Sequence, residues 1–446
     1  MLEVVQNKRE NEMLDAGPLS GVLKRDGAQV AFDPQKIVAA IAKAGTATGE
    51  FGTDEAELLA GQVLKVLRHR FGGAVVPTIE QIQDVVEQVL ISSNYYKTAK
   101  SYIVYREQRD RQRKDQQAVV DAISSINEYL DRSDWRVNAN ANQGYSLGGL
   151  ILNVSGKVVA NYWLKHVYTP EIGAAHKEGD YHIHDLDMLA GYCAGWSLRV
   201  LLQEGFNGVP NKTESNPPRH LVSAFSQMVN FLGTLQNEWA GAQAFSSADT
   251  YLAPFVRIEN LEYKDVKQAM QSFIFNLNVP SRWGTQTPFT NLTFDWTCPQ
   301  DLKDRHPIIG GEEQSFTYGE LQHEMDMINR AFLEVMGEGD AKGRPFTFPI
   351  PTYNITNEFP WDSENIDLLF EMTAKYGLPY FSNYLNSDMK PSDVRSMCCR
   401  LRLDLTELKK RGGGLFGSAE QTGSIGVVTI NCARLGYLFK GDEERM

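Results

Sequence analysis

The chain has 446 residues, 42% of them apolar and 22% charged, with a formal net charge of −12. At about 150 residues per domain this length exceeds what one hydrophobic core organises, so a small and a large domain are expected. The acidic balance excludes a nucleic-acid duplex or an anionic membrane as the main partner, since both need a basic face; with no apolar run near the ~18 residues of a membrane span, a cytoplasmic protein is expected.

In chain order, residues 1–17 are polar and irregular and read as a flexible leader. Val22, Leu23, Gln29 and Val30 flank the turn at Asp26-Gly27, a hairpin signal. Asp33-Pro34 then supplies a helix start, with Ile37, Val38, Ile41 and Ala44 at helical spacing. Leu59, Val63, Val66 and Leu67 mark a second helix, and Thr78 with Gln81 forms a capping box ahead of a third. A fourth helix is expected from about Tyr95 to Gln112, with the charged stretch beyond it extending that helix or linking to the next domain. Residues 18–115 therefore read as a helical bundle with a short β cap, and 116–139 as a linker helix. From residue 140 helical runs alternate with short apolar runs such as Phe273–Val279, Arg344–Tyr353 and Gly426–Asn431, the rhythm of an α/β domain whose strand ends carry polar side chains into a pocket.

Lys24, Arg25 and Gly27 in the hairpin and Lys36 at a helix start form an arrangement that suits a triphosphate. Cations neutralise the phosphate oxygens, a helix N-terminus adds N–H donors, and glycine lets the backbone come close. Further along, Tyr181-His182-Ile183-His184-Asp185-Leu186-Asp187 sets two histidines on one face of an extended segment, a spacing suited to a polar ligand. The stretch Gln236–Ser246 is rich in small and amide side chains, which allow close helix packing or hydrogen bonding to a nucleotide edge. Five cysteines, Cys193, Cys298, Cys398, Cys399 and Cys432, form no C-x-x-C pair. In a reducing compartment they are core thiols or chemistry. Met397-Cys398-Cys399-Arg400 is followed by the glycine-rich RGGGLFGSAEQTGS and by GVVTINCARLG, and adjacent cysteines cannot easily bridge each other.

Two resemblances follow from these motifs. The segment holding Val22-Leu23-Lys24-Arg25-Asp26-Gly27, Lys36-Ile37 and the later Tyr95–Arg106 run resembles the ATP-cone domain of ribonucleotide reductases. That resemblance implies an ATP/dATP site at Val22, Lys24, Arg25, Asp26, Gly27, Lys36, Ile37, Lys100 and Tyr102, with ATP permitting activity and dATP stopping it. Residues 140–446, through HIHDLD, the Gln236–Phe255 segment, MCCR, GGGLFGSAEQTGS and GVVTINCARLG, resemble the anaerobic, glycyl-radical ribonucleoside-triphosphate reductases. Their fold is a ten-stranded α/β barrel of two parallel half-sheets, with a finger loop lifting a cysteine to its centre.

The second resemblance implies Cys399 as the thiyl-radical cysteine, with Cys398 the rival and Met397 beside it, and Cys193 as the second cysteine on the opposite face. It implies His182 and His184 as substrate contacts and Asn431 as the asparagine of formate-using members, so formate is the expected reductant. Cys398 and Cys432 would instead suit disulfide chemistry. Gln243 and Lys212 are candidates for a dNTP specificity site. A glycyl radical and a four-cysteine zinc site are expected only in a further C-terminal part, so the barrel here is expected to be incomplete. Expected partners are a ribonucleoside triphosphate, a radical-SAM activase, a second copy in a homodimer or dATP-induced oligomer, and a complementing C-terminal polypeptide. The alternative is an ATP/dATP-binding regulatory or split-gene fragment without activity of its own.

Overall fold

The computed structural model describes residues 19–446 except 20, 26, 73–74, 134–144, 208–212, 280–286, 389, 391–421, 443 and 446; at 111 and 113–122 it describes the backbone alone. The chain divides into two compact units, residues 1–120 and 121–446.

In the first unit, β1 (Val22–Leu23) and β2 (Gln29–Val30) pair antiparallel around the turn at Gly27, as the sequence predicts. Helix α1 (Gln35–Thr48) starts where Asp33 Oδ1 accepts the Gln35 N–H at 3.0 Å. Helix α2 (Thr53–Phe71) follows, then α3 (Ile79–Ser92), opened by the Thr78–Gln81 capping box with both reciprocal bonds formed. Helix α4 spans Tyr96–Leu130. Ile37, Ile41, Leu59, Val63, Leu67, Val86, Val89, Leu90 and Ala99 form the core of this bundle. The hairpin docks on it where the Leu23 N–H donates to Pro77 O at 2.9 Å.

The second unit begins with α5 (Leu147–Tyr162) and α6 (Pro170–Glu178), then β3 (Tyr181–Ile183) and β4 (Cys193–Trp196). Next come α7 (Leu198–Glu204), α8 (Leu221–Leu235), β5 (Gln243–Phe245), α9 (Ala248–Glu259), α10 (Tyr263–Asn278) and β6 (Thr290–Phe294). A small hairpin, β7 (Ile308–Ile309) and β8 (Glu312–Glu313), precedes α11 (Gln322–Glu338), β9 (Ile350–Ile355), α12 (Ile366–Tyr376) and β10 (Tyr380–Asn383). The chain returns through β11 (Thr422–Ser424), β12 (Val428–Ile430) and α13 (Cys432–Leu438).

Strands β4, β5, β6, β9 and β10 lie side by side in chain order, all parallel, and β11 adds antiparallel to β4. Parallel strands in consecutive order, joined by right-handed helical crossovers, put the crossover helices on one face and curl the sheet into a half-barrel. Strand alternation then makes the two faces chemically opposite. Phe245, Leu292, Phe294, Tyr353 and Ile355 point to the helices and join the main core with Phe225, Phe273 and Phe332. The Phe294 ring meets Phe332 at 4.6 Å and Tyr353 at 5.0 Å between centroids.

Two sequence expectations are corrected. Phe273–Val279 is not a strand: residues to Asn278 belong to α10, whose buried Val266, Ala269, Met270, Phe273, Ile274 and Leu277 follow the helical period. A short apolar run taken alone cannot be told from a buried helical stripe. The Gln236–Ser246 stretch is not a packing helix; its end is β5, fully buried in the middle of the sheet.

Candidate nucleotide cleft and half-barrel active site

The first unit holds a cleft of about 780 Å³ between α1, α3 and α4. Ala39, Ala40, Ala44 and Ala47 give it a small, apolar wall from α1, and Tyr102 and Tyr105 stand on α4. Lys43, Arg106 and Arg109 are its charged lining residues, and no carboxylate lines it among the described residues. In a chain of net charge −12 this local excess of cations beside aromatic rings suits an anionic, ring-bearing ligand. Arg106 is already balanced by Asp84 and Glu87, each at 2.7 Å. Arg109 donates to the Tyr105 hydroxyl at 2.9 Å.

The residues predicted for the sensor are brought together only in part. Tyr102 lines the cleft, and its burial pushes the phenol up to about 12. Ile37 is buried in the bundle core, and Val22 and Gly27 lie in the hairpin. Lys24, Lys36 and Lys100 are exposed and do not line the cleft. Arg25 pairs with Glu80 and donates to Gln83, which does line it. Asp26 lies outside the described residues. Sequence reading missed Lys43, Tyr105 and Arg109; the available signal was the run of alanines at 39, 40, 44 and 47, which leaves one side of α1 with nothing large to pack.

In the second unit, the face of the half-barrel turned away from the helices carries, strand by strand, Cys193, Ala244, Asn291, Thr293, Thr352, Asn354 and Ser382. All seven are buried. An apolar face would be covered by core side chains, whereas this one offers amides, hydroxyls and a thiol. Thr293 Oγ1 and Asn354 Oδ1 have no hydrogen-bond partner among the described residues, and buried polar atoms call for a polar counterpart.

Cys193 opens β4 and pairs in register with Ser424 of β11. It clusters with Ala242 and Ala244 against Tyr192 and Phe289. Two glycines allow this crowding. A Cβ on Gly241 would stand 2.8 Å from Cys193 Sγ and 2.9 Å from Tyr192 O, and one on Gly423 would overlap Cys193 O.

The histidine pair shortly precedes this thiol in sequence. His182 and His184 stack edge-on at 4.7 Å, His176 lies 5.2 Å from His182, and His184 Nε2 meets Thr429 Oγ1 at 2.7 Å. His184 contacts the Tyr192 ring at 6.2 Å, next to Cys193. Burial, then the neighbouring His184, holds His182 below the ordinary imidazole range. Asp185, in a left-handed turn at φ 48°, is pushed up to about 6, first by burial and then by Asp187. The site therefore favours a neutral imidazole beside a carboxyl that titrates near neutrality.

Asn431 falls at the start of α13, where Oδ1 accepts the Arg434 N–H at 3.0 Å and Nδ2 donates to Gly179 O at 2.8 Å. Gln243 is buried in β5 and accepts the Trp196 indole N–H at 2.6 Å. Cys432 is exposed. Met397, Cys398, Cys399 and Lys212 lie outside the described residues.

A second polar network, missed in sequence because its members are far apart, sits at the carboxyl end of β6. Asp249 accepts the N–H groups of Asp295 and Trp296 and the Asn329 amide at 2.8–3.0 Å, while Asp295 accepts Thr250 Oγ1 at 2.8 Å and the Asn354 amide at 2.9 Å. Burial, then the Asp295 carboxylate, pushes Asp249 up to about 7. These bonds tie β6 and β9 to α9 and α11, which makes the network a brace for the polar face.

Comparison with known proteins agrees with this architecture. Residues 139–446 match the family described as anaerobic ribonucleoside-triphosphate reductase, and residues 20–111 match the ATP cone domain. The anaerobic ribonucleoside-triphosphate reductases of Salmonella typhimurium and Escherichia coli are 25% and 26% identical over 458 and 457 residues, 95% of this chain in each case. The chain spans 59% of the length of each. A crystal structure of the anaerobic ribonucleotide reductase from Thermotoga maritima in complex with dATP and CTP superposes with a TM-score of 0.51 at 19% identity, covering 75% of this chain and 58% of that one. The shared fold is the curled half-barrel, and the first unit carries the ATP cone. The chain thus belongs to the anaerobic ribonucleoside-triphosphate reductase family.

Proposed function

We propose that this chain works in the reduction of ribonucleoside triphosphates to deoxyribonucleoside triphosphates by thiyl-radical chemistry, switched on by ATP and off by dATP. The observation that carries the reading is the buried Cys193 thiol on a polar half-barrel face, with His182 and His184 on the adjoining segment. In this reading the ribose lies against that face. His182 and His184 hold it through their ring nitrogens, and the thiol of Cys193 supplies hydrogen to the ribose intermediate. By family resemblance Cys399 takes the 3′ hydrogen, with Cys398 the rival and Met397 beside it. Such radical steps need orientation and exclusion of water, which a buried face provides.

A glycyl radical, when present, generates the thiyl; with the zinc site it is assigned to a C-terminal segment outside these residues, on the same or a complementing polypeptide, and its formation to a radical-SAM activase. Formate is the reductant assigned through Asn431. Use of that carboxamide would require release of its bonds to Gly179 and Arg434. Gln243 is a candidate for the dNTP specificity site of a homodimer or dATP-induced oligomer, although its amide is engaged with Trp196.

The test is deoxynucleotide formation by the full enzyme with activase and formate. Cys193→Ala should abolish product while cone binding of ATP persists, and full turnover by that variant would refute the assignment. Control by nucleotides rests on the cation-lined cleft. Calorimetric titration should show ATP and dATP binding, and the double substitution Lys43→Glu with Arg109→Glu should remove it; unchanged affinity would move the site elsewhere.

A further inference from the structure

Arg25, the hairpin cation that would meet a nucleotide's phosphates, is not waiting for them. Its guanidinium pairs with the Glu80 carboxylate in the first turn of α3 and donates through Nη2 to Gln83 Oε1 at 3.1 Å. Gln83 lines the cleft, so Arg25 is tied directly to a residue of its wall. Arg106 reinforces the arrangement from α4, reaching the Glu80 carbonyl at 3.4 Å while its own charge is spent on Asp84 and Glu87. No other carboxylate faces Arg25 among the described residues.

We propose that Glu80 is a built-in competitor for Arg25, so that a nucleotide gains this cation only by displacing a carboxylate. The inference rests on the nucleotide reading of the cleft and concerns how that site chooses its ligand. Exchanging one carboxylate for a phosphate oxygen is favourable when the incoming group carries more charge and offers bidentate acceptors. A triphosphate meets that condition, and a monophosphate whose single anionic group is held at Lys43 or Arg109 has nothing left to offer Arg25. Glu80 thereby sets discrimination among nucleotides by phosphate number. Both partners are partly exposed, with side-chain exposures of 35% and 44%, so the competition is modest and reversible.

The experiment is calorimetric titration of the whole chain with ATP and with AMP, in the parent, Glu80→Gln, Arg25→Gln and the double variant. Glu80→Gln should tighten ATP binding by about 1.5- to fivefold, the range an exposed ion pair allows, and leave AMP unchanged. In the Arg25→Gln background the Glu80→Gln gain should vanish, because the competition acts through Arg25. If Glu80→Gln fails to fold, Glu80→Asp, whose shorter side chain falls short of Arg25 but keeps the helix-start charge, reads the same competition. An unchanged ATP affinity in Glu80→Gln overturns the proposal. A gain that persists without Arg25 also overturns it, since that reports general repulsion. A parent chain that binds no ATP refutes the nucleotide reading itself, a separate result.

Discussion

Cys193 is held by two glycines whose neighbours differ in hardness, and that difference predicts two outcomes. In Gly423→Ala the new methyl would overlap the Cys193 carbonyl oxygen and lie 3.0 Å from Ala194 Cα. Both obstacles are backbone in the sheet interior and cannot yield without unpairing. The three-residue pairing Thr422–Gly195, Gly423–Ala194 and Ser424–Cys193 should therefore open. At about 1 kcal/mol net per backbone bond, loss of two or three bonds costs roughly 2–3 kcal/mol. In Gly241→Ala one obstacle is the Cys193 sulfur at 2.8 Å, a side-chain atom that can shift; the other is Tyr192 O at 2.9 Å. Overpacking of this kind costs about 1–3 kcal/mol without removing a strand. Gly337→Ala in α11, where a Cβ meets nothing within 4 Å, is the control and should gain up to about 1 kcal/mol. Urea denaturation measures the stabilities, and peptide-mapped N-ethylmaleimide labelling measures exposure of Cys193, fully buried in the parent. Gly423→Ala should label Cys193 fastest, Gly241→Ala more slowly, and the control at the parent rate. A protected Cys193 with parental stability in Gly423→Ala would show that β11 does not close over the thiol.

Asp185 gives a pH test. Its folded value, raised to about 6, means the native protein holds a proton that the unfolded chain releases near pH 4, so its contribution to stability is greatest at low pH and is lost as pH rises through about 6. The difference is at most about 3 kcal/mol and smaller after solvent screening of a half-buried carboxyl. Asp185→Asn should therefore gain on the parent between pH 5 and pH 7.5 in urea midpoints, and a constant gap would place the carboxyl in ordinary solvent. In the cone, Thr78→Ala removes the side-chain acceptor for Gln81 N–H and should cost α3 about 1 kcal/mol. Thermal unfolding of the cone should register that loss, and no shift would mean the capping box is idle.

The hairpin, the capping box and the helix starts were legible because each depends on a few neighbouring residues: Asp33 on Gln35, Thr78 on Gln81, Gly27 on its own positive φ. The histidine pair was legible for the same reason, as two residues apart on an extended segment share a face. What failed were inferences that depend on distant partners. Phe273–Val279 looks extended until Val266 and Met270 reveal the helical stripe to which it belongs. Arg25 looks like a free phosphate ligand until α3 brings Glu80 to it across more than fifty residues of chain. The cleft is an absence of bulk on α1 facing cations on α4, and nothing local in either helix announces the other.

The same reasoning explains why the polar face of the half-barrel was expected only in outline. Within β6, Asn291 and Thr293 alternate with Leu292 and Phe294, and within β9, Thr352 and Asn354 alternate with Tyr353 and Ile355. An antiparallel surface sheet shows that pattern with its polar residues in water. Here both sets are buried. Burial of a hydroxyl and amide row is costly unless each group finds a partner, so the row persists where something polar is to be held. The amide of Asn354 is anchored by Asp295, and Asp295 by Thr250, while Asn354 Oδ1 keeps no partner among the described residues. That asymmetry fixes the donor side of the amide on the brace and leaves its acceptor on the face that carries Cys193. Replacing this row with apolar residues would give a better-packed sheet and remove the polar surface that the proposed reaction requires.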